Sequence, residues 1–197
     1  MNELRLFDKE YNCIIAGVDE AGRGPLAGPV VAAAVIIEDY FEELGEINDS
    51  KKLTEKKREK LYGIIREKCK VGIGIADEKE IDKINILNAT FLAMRRALGQ
   101  IDNYDIVLVD GNHKIREYSG RQEEIIKGDG RSLSIAAASI VAKVYRDDIM
   151  KGLALQYPDY RFEKHKGYGT KLHRELLHTY GACNIHRKTF LRKILGE

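Results

Sequence analysis

Residues 14–24 of the chain read IIAGVDEAGRG, and the interpretation of the whole sequence starts from this stretch. Its first five residues are apolar or glycine, which is typical of a short buried strand that ends at Asp19. Asp19 and Glu20 are adjacent carboxylates, and carboxylate oxygens are ligands that Mg²⁺ and Mn²⁺ prefer. The glycines that follow allow backbone N–H groups to approach a bound group, and Arg23 offers a cationic fork suited to phosphate. The stretch therefore indicates metal-assisted phosphodiester chemistry.

Length and composition limit the class of protein. A chain of 197 residues suits one compact domain, and we expect residues 1–197 to form it, with a helical, basic part over about residues 160–197. No apolar run approaches the roughly 18–20 residues of a membrane helix, and the N-terminus lacks the order of a secretion signal. The cysteines, 3 in number, form no metal-ligand pattern, which is typical of reduced thiols. We therefore expect a cytoplasmic protein that has no membrane segment.

The charge is distributed unevenly along the chain. A net charge of +2 does not by itself indicate a nucleic-acid-binding protein, but residues 160–197 carry nine basic and three acidic side chains, a net charge of +6. Four of the five histidines lie in the same segment. Composition supports two interpretations about equally: a solvated helical tail, or a basic surface that holds a polyanion.

Hydrophobic patterning predicts an α/β fold, with a mixed central sheet, helices packed on it and a helical C-terminal region. The predicted strands are residues 14–18, 30–37, 71–76, 106–109 and, more weakly, 124–126, the first two as a hairpin or close pair. The predicted helices are residues 54–69, 84–101, 132–157, 170–180 and 188–195. Small residues at positions 136–139 predict that the third of these helices approaches the sheet closely.

A second acid repeats the pattern of the first. Asp110 follows a buried strand and precedes a turn, as Asp19 does. If the two strands are neighbours, Asp19, Glu20 and Asp110 converge at one edge of the sheet, where like charges repel unless a cation neutralises them. Asp110 alone is more simply explained by its turn, and the nearby acid pair favours a metal site instead. Asp129, in a short Lys-Gly-Asp-Gly loop, is the fourth candidate acid.

Six motifs occur in order along the chain: DEAGRGP at residues 19–25, NDSK at 48–51, VDG at 109–111, KGD at 127–129, AASIVAK at 137–143 and HKGYGT at 165–170. Together they resemble type 2 ribonuclease H, and the likeness is closest to bacterial ribonuclease HII. The resemblance extends over residues 14–187, nearly the whole chain. The sister family, ribonuclease HIII, usually carries an additional N-terminal domain, for which we expect no room here.

The resemblance implies a ribonuclease H-like fold and an endonuclease that hydrolyses the RNA strand of RNA–DNA hybrids. It also implies cutting on the 5′ side of a single ribonucleotide embedded in duplex DNA, as in ribonucleotide excision repair. Asp19, Glu20, Asp110 and Asp129 would be the catalytic acids and metal ligands. Two ions, Mg²⁺ or Mn²⁺, would activate the attacking water and stabilise the leaving oxygen, which gives 3′-hydroxyl and 5′-phosphate ends. We expect a monomer.

The resemblance also implies how RNA is distinguished from DNA. A loop backbone would contact the 2′-hydroxyl, the group that only RNA carries; the loop is Gly22, Arg23 and Gly24. Tyr168 would pack on the sugar at the RNA–DNA junction, and its flanking glycines in a basic segment favour this role over a half-buried core position. Lys51 and Lys166 are candidate phosphate contacts. For Lys143 and Arg146, ion pairs on their own helix are as good an expectation as contacts with substrate.

Three other functions are weighed against this interpretation. The glycines after the first strand faintly resemble a dinucleotide-binding fingerprint, but that motif needs a helix to begin at once, and strand-like sequence follows instead. A junction resolvase-like nuclease of the same fold is the second alternative, and cleavage of a duplex with one ribonucleotide would separate the two. A non-catalytic hybrid-binding protein is the third, and metal-dependent turnover would exclude it.

Overall fold

The central sheet has five strands. In this computed structural model, which describes residues 3–47 and 53–195, they are β1 (Ile15–Ala21), β2 (Val30–Ile36), β3 (Lys70–Ala76), β4 (Ile106–Asp110) and β5 (Gln122–Ile125). Their order in the sheet is β3-β2-β1-β4-β5. β1 pairs antiparallel with β2 and parallel with β4, β2 pairs antiparallel with β3, and β4 pairs parallel with β5. The predicted mixed sheet is confirmed, with β1 at its centre.

Seven α-helices surround this sheet in the part of the chain that the structure describes. They are α1 (Glu3–Lys9), α2 (Glu55–Lys68), α3 (Glu78–Leu98), α4 (Leu133–Gln156), α5 (Phe162–His165), α6 (Lys171–Tyr180) and α7 (Lys188–Leu195). The sequence did not predict α1 or α5. Within the described ranges, no helix combines the length and the apolar character that crossing a bilayer would need.

The helix boundaries follow local capping chemistry. Thr54, Ser132 and Thr170 precede α2, α4 and α6, and each side-chain oxygen accepts a hydrogen bond at 3.3 Å from the backbone N–H three residues later. Such caps satisfy N–H groups that have no partner inside the helix. All three helix starts agree with the sequence.

The helix predicted over residues 84–101 is observed as α3 over Glu78–Leu98, which begins and ends earlier than predicted and is interrupted near the predicted start. Asn85, inside α3, has φ 65° and ψ 164°, so two helical segments meet there rather than one continuous helix. The Asn85 side chain accepts a hydrogen bond at 3.1 Å from the N–H of Asn88 and restarts the helix. Asparagine tolerates this left-handed φ better than most residues, but hydrophobic spacing alone does not register the break.

β1 is longer than predicted. It continues past Asp19 to Ala21, because β2 supplies hydrogen-bonding partners on one side as far as the pair Ala21↔Val31. The parallel ladder with β4 ends earlier, at Val18↔Val109. The two acids therefore lie within a strand whose β4 side has lost its partner. The chain then returns as β2 and not as a helix, which excludes the dinucleotide-binding alternative.

The sheet separates two hydrophobic layers. α3 packs on the face that carries Ala16 and Val18 of β1, while α2 and α4 cover the opposite face. Because successive strand residues point to opposite faces, Gly17 and Asp19 lie on the α4 side. A Cβ at Gly17 would fall 2.2 Å from the backbone carbon of Ser134, so the predicted close approach of this helix is confirmed.

The C-terminal helices are integrated into the fold. Side chains of α5, α6 and α7 share a core cluster with Leu26, Ala27 and Met150, which belong to the β1–β2 connection and the second half of α4. An isolated bridge pairs Ala27 with His186. A detached, solvated tail is therefore wrong as a description of this segment.

Gly17→Ala tests the close approach of α4. We expect the substitution to lower the free energy of unfolding by about 1–3 kcal/mol in urea titrations, because the new methyl group overpacks a contact with helix backbone. Gly63→Ala is the control, because Gly63 is exposed inside α2 with nothing within 4 Å of an added Cβ. Alanine at this position should raise the free energy of unfolding by about 0.5–1 kcal/mol. Wild-type stability of Gly17→Ala would contradict the packing described.

Candidate active site

A cleft of 350 Å³ opens where β1 and β4 end, and we call it the acidic cleft. All four predicted acids line it, as do the predicted glycine–arginine–glycine loop and tyrosine: Asp19, Glu20, Asp110, Asp129, Gly22, Arg23, Gly24 and Tyr168. α4 contributes Ser139, Lys143, Arg146 and Asp147. A larger hollow of 450 Å³ beside α1 is lined by none of these residues.

Sheet register brings Asp19 and Asp110 together. They are the next residues after Val18↔Val109, the last pair of the parallel ladder. Asp19 is only 5% exposed, and its carboxylate accepts hydrogen bonds from the Ser139 side chain and, at 2.7 Å, from the backbone N–H of Glu20. The predicted convergence at one edge of the sheet is what the strand order produces.

Asp110 organises the loop that carries Asp129. Its Oδ1 accepts hydrogen bonds from the backbone N–H groups of Gly128 at 2.6 Å and Asp129 at 3.4 Å. A Cβ at Gly128 would lie 2.6 Å from Cδ1 of Ile135 and 3.2 Å from that same Oδ1. A side chain at this position would require Ile135 to move and would crowd Asp110. Asp129 is buried at the tip of this turn.

The electrostatics of the cluster are unfavourable. Burial raises the pKa of Asp19 well above its ordinary value, and the charges of Glu20 and Asp110 raise it further. Burial also raises the pKa of Glu20, against the opposing effect of Arg23, whose Nη1 lies 3.4 Å from Oε1 of Glu20. One half-exposed arginine therefore leaves most of the repulsion in place.

The donor set suits a hard divalent cation. Within residues 3–47 and 53–195, no three acidic, histidine or cysteine side chains already form a group that could hold a metal ion. The acids of the cleft nevertheless supply only carboxylate oxygens, which favour Mg²⁺ or Mn²⁺ over metals that select thiolate or imidazole. Added positive charge would also offset the effects of burial and of the neighbouring acids, which together raise the pKa of Asp19. The residues present therefore fit a divalent ion by their chemistry.

A buried arginine holds the glycine–arginine–glycine loop. Arg187 is fully buried, and its guanidinium donates to four backbone carbonyls, at distances of 2.6–3.1 Å; the acceptors are Gly22, Arg23, Pro25 and Gly28. Of the two interpretations of residues 160–197, a solvated tail and a basic surface, neither describes the buried Arg187. No local pattern could correct this, since the acceptors are about 160 residues away.

Arg146 is also structural, but it forms no ion pair on its own helix. Its guanidinium donates to the carbonyls of Pro29 at 3.0 Å, Ala27 at 3.2 Å and Lys166 at 3.0 Å, and so ties the β1–β2 connection to the segment before Tyr168. The Tyr168 ring centroid lies 5.7 Å from the guanidinium carbon. The expected ion pair does form at Lys143, whose Nζ lies 3.2 Å from Asp147.

Tyr168 lies at the rim of the acidic cleft. Its side chain is 43% exposed, so a core position is excluded. The ring faces the glycine–arginine–glycine loop, because a Cβ at Gly24 would lie 3.8 Å from Cε1 of the tyrosine. A planar group at this rim and a backbone loop beside it can contact the same nucleotide.

Of the two predicted phosphate contacts, Lys166 is described by the structure and is not among the residues that line the cleft. The Lys166 side chain donates to the carbonyl of Glu163, on the turn outside the cleft. Lys51, with the motif at residues 48–51, lies outside the described residues.

Three histidines of the C-terminal segment do not contribute to a basic surface. His165, His173 and His186 are buried, and burial lowers their pKa values.

The chain is similar to known proteins over almost its full length. The profile of the family described as Ribonuclease HII matches residues 16–193. A Ribonuclease HII from Fusobacterium nucleatum is 66% identical over 98% of this chain and 93% of that protein. The crystal structure of ribonuclease H2 from Pyrococcus horikoshii OT3 is 30% identical, with a TM-score of 0.73, over 92% of this chain and 96% of that one.

A more distant structure extends the comparison of folds. Bst-RNase HIII, solved in complex with Mn²⁺, is 19% identical, with a TM-score of 0.71, over 93% of this chain and 69% of that one. At this identity the match establishes the fold alone. The architecture is therefore ribonuclease H-like, as the motifs implied.

Arg187→Lys tests the clamp on the loop, by which we mean the four hydrogen bonds from the Arg187 guanidinium to backbone carbonyls. Lysine carries its donors on one nitrogen and cannot reach four carbonyls, and each buried acceptor left without a partner costs about 1–3 kcal/mol. We expect a clear loss of unfolding free energy, measured by chemical denaturation. Arg192→Lys, at an exposed position of α7, is the matched control and should change stability by less than about 0.5 kcal/mol. Equal effects of the two substitutions would contradict the clamp.

Proposed function

This chain belongs to the ribonuclease HII family and is a ribonuclease H, a phosphodiester hydrolase, and from that premise we propose its substrate and mechanism. It hydrolyses the RNA strand of RNA–DNA hybrids and cuts on the 5′ side of a single ribonucleotide in duplex DNA. The observation that carries the proposal is one cleft lined by four acids, the glycine–arginine–glycine loop and Tyr168. Family membership argues against a junction resolvase and against a non-catalytic binding protein.

The catalytic acids in this proposal are Asp19, Glu20, Asp110 and Asp129, which would hold Mg²⁺ or Mn²⁺, two ions at catalysis. Bound ions would supply activation of the attacking water and stabilisation of the leaving 3′-oxygen. The complex of Bst-RNase HIII with Mn²⁺ supports a divalent ion in this fold. The uncompensated repulsion at Asp19 supports it independently.

The protein prepares the acids before substrate binds. Ser139 and the Glu20 amide hold Asp19, and Asp110 fixes the turn that carries Asp129. Groups that are already oriented need little reorganisation during the reaction. The chain thus supplies oriented carboxylates, and in-line displacement would give 3′-hydroxyl and 5′-phosphate products.

Recognition of RNA would rest on two neighbouring features. Arg187 occupies the carbonyls of Gly22 and Arg23, so the loop has a fixed course along which a 2′-hydroxyl can meet backbone. Tyr168 would pack on the sugar at the RNA–DNA junction. Residues 160–197 would in this way complete the substrate site of a single catalytic domain, while phosphate contacts by Lys51 and Lys166 stay a prediction.

The cellular setting is also part of the proposal. All three cysteines are free, which supports a reducing compartment such as the cytoplasm. There the protein would act as a monomer in the removal of ribonucleotides from DNA. Its partners would be the RNA–DNA hybrid and the ribonucleotide-containing duplex.

Asp19→Asn tests the catalytic acids. We expect cleavage of a duplex with one ribonucleotide to fall by at least about 100-fold, a loss typical when one oriented charged group is removed. The melting temperature without metal should not fall, because a repelling buried charge is removed. Mg²⁺ or Mn²⁺ should raise the melting temperature of the wild type, since binding stabilises the folded state, and should raise that of the variant less.

The matched control is Asp148→Asn. Asp148 lies on α4, 57% exposed and paired with Lys151 at 3.4 Å, and it does not line the acidic cleft. This variant should cleave like the wild type and respond to metal like it. Wild-type cleavage by Asp19→Asn would remove Asp19 from the proposed chemistry.

Tyr168→Ala tests junction recognition. We expect kcat/KM at a single embedded ribonucleotide to fall about tenfold relative to that on a continuous RNA–DNA hybrid, which corresponds to about 1.4 kcal/mol of lost contact. Tyr168→Phe keeps the ring and should retain the wild-type ratio. Equal losses on both substrates would exclude a junction-specific role.

A further inference from the structure

A row of buried imidazoles lies behind Tyr168 and has no part in the chemistry proposed above. The rings of His165 and His173 stack with centroids 4.2 Å apart and an interplanar angle of 13°. Nε2 of His173 lies 3.0 Å from Nε2 of His186. All three residues are buried. Three polar rings in a core need a satisfied hydrogen-bond pattern, which their outer contacts define.

The outer contacts of His173 and His186 allow only one direction for the hydrogen bond between these two rings. Nδ1 of His173 lies 3.0 Å from the carbonyl oxygen of Tyr168, which only accepts, so this nitrogen carries a hydrogen. The backbone N–H of Cys183 donates to Nδ1 of His186 at 2.9 Å, so that nitrogen carries none. The two ends therefore fix the protonation of both rings.

The contact in the middle then follows. A neutral imidazole carries one hydrogen, so His186 bears its hydrogen on Nε2 and His173 leaves Nε2 bare. The 3.0 Å contact between these nitrogens is a hydrogen bond that His186 donates to His173. Burial lowers the pKa of both side chains to about 4, so both are neutral near pH 7, as this pattern requires. The result is a chain of hydrogen bonds, all donated in the same direction, from Cys183 through His186 and His173 to the carbonyl of Tyr168.

The third imidazole acts on the same turn. Nε2 of His165 lies 2.8 Å from the carbonyl of Tyr160, so Nδ1 is bare and accepts the N–H of Gly167 at 3.2 Å. The backbone N–H of Tyr168 donates to the His165 carbonyl at 2.8 Å. The peptide groups on both sides of Tyr168 are therefore held from the core, while its ring remains at the rim of the cleft.

We propose that His173, oriented by His186, is a positioning residue for Tyr168 and sets the discrimination between a single ribonucleotide and a continuous hybrid. The inference rests on the proposed role of Tyr168 in junction recognition. His173 touches neither substrate nor metal in this proposal. It acts by holding the Tyr168 peptide, so that the ring meets the sugar at a fixed place and little conformational freedom is lost on binding.

The test compares kcat/KM at a single ribonucleotide with kcat/KM on a continuous hybrid. His173→Leu removes the donor to Tyr168, and we expect the ratio to fall about tenfold, as for Tyr168→Ala. His173→Asn places an amide N–H near the position of Nδ1 and should recover most of the ratio. His178→Leu, at an exposed position of the same helix, should leave it unchanged. A general loss of folded protein would lower both rates together and leave the ratio at its wild-type value.

A double variant separates the two proposals. Because His173 acts through Tyr168, Tyr168→Ala with His173→Leu should have the same ratio as Tyr168→Ala alone. If Tyr168→Ala lowers the ratio and His173→Leu does not, the inference is overturned and the proposed function stands. If Tyr168→Ala leaves the ratio unchanged, the proposed role of Tyr168 fails and the inference fails with it.

A measurement on the unaltered protein covers the case in which His173→Leu does not fold. Side-chain ¹⁵N NMR at pH 7 should show the hydrogen on Nδ1 of His173 and on Nε2 of His186. The opposite tautomer of either ring, or a charged form, would contradict this chain of hydrogen bonds. Agreement of both tautomers supports it.

Discussion

The repulsion among the acids at the end of β1 and β4 is the constraint on which the rest of this structure depends. Sheet register places Asp19 beside Asp110, and the burial of Asp19 weakens the screening of its charge by water. Asp19 and Asp110 each accept two hydrogen bonds, and the half-exposed Arg23 lies beside Glu20, yet the pKa of Asp19 stays well above its ordinary value because of burial and the neighbouring acids. The site is stable as a folded arrangement only because the surrounding sheet and helix hold it, and that imbalance is what a divalent cation would correct.

The two buried arginines belong to the same electrostatic design. Arg146 and Arg187 satisfy their donors with backbone carbonyls rather than with carboxylates. Arg146 lines the acidic cleft and Arg187 binds the carbonyls of Gly22 and Arg23 beside it, and positive charge near a cleft favours a polyanionic strand. At the same time the arginines fix the loop and the turn that would read the sugar. A basic surface is the usual expectation for such a protein, and here part of the positive charge lies inside.

The sequence predicted the features that depend on neighbouring residues. Strand positions, helix caps and the acids after two buried runs all follow from local pattern, and six motifs then indicated the family. The features that it missed depend on distant partners. β1 extends to Ala21 because β2 continues beside it, and Arg187 binds carbonyls near the other end of the chain. Neither Arg187 nor His173 differs locally from a surface residue, so composition alone left both in a segment interpreted as either a solvated tail or a basic surface.

The hydrogen bonds from Arg187 to the glycine–arginine–glycine loop have a consequence for biosynthesis. The ribosome adds residues 22–28 to the chain about 160 residues before Arg187, which binds their carbonyls. The central sheet can form beforehand, since β1 to β5 all precede residue 126. A nascent chain that has not yet reached Arg187 would therefore hold the strands that carry Asp19 and Asp110 without the hydrogen bonds that fix residues 22–28, so this loop would be ordered later than the sheet beside it.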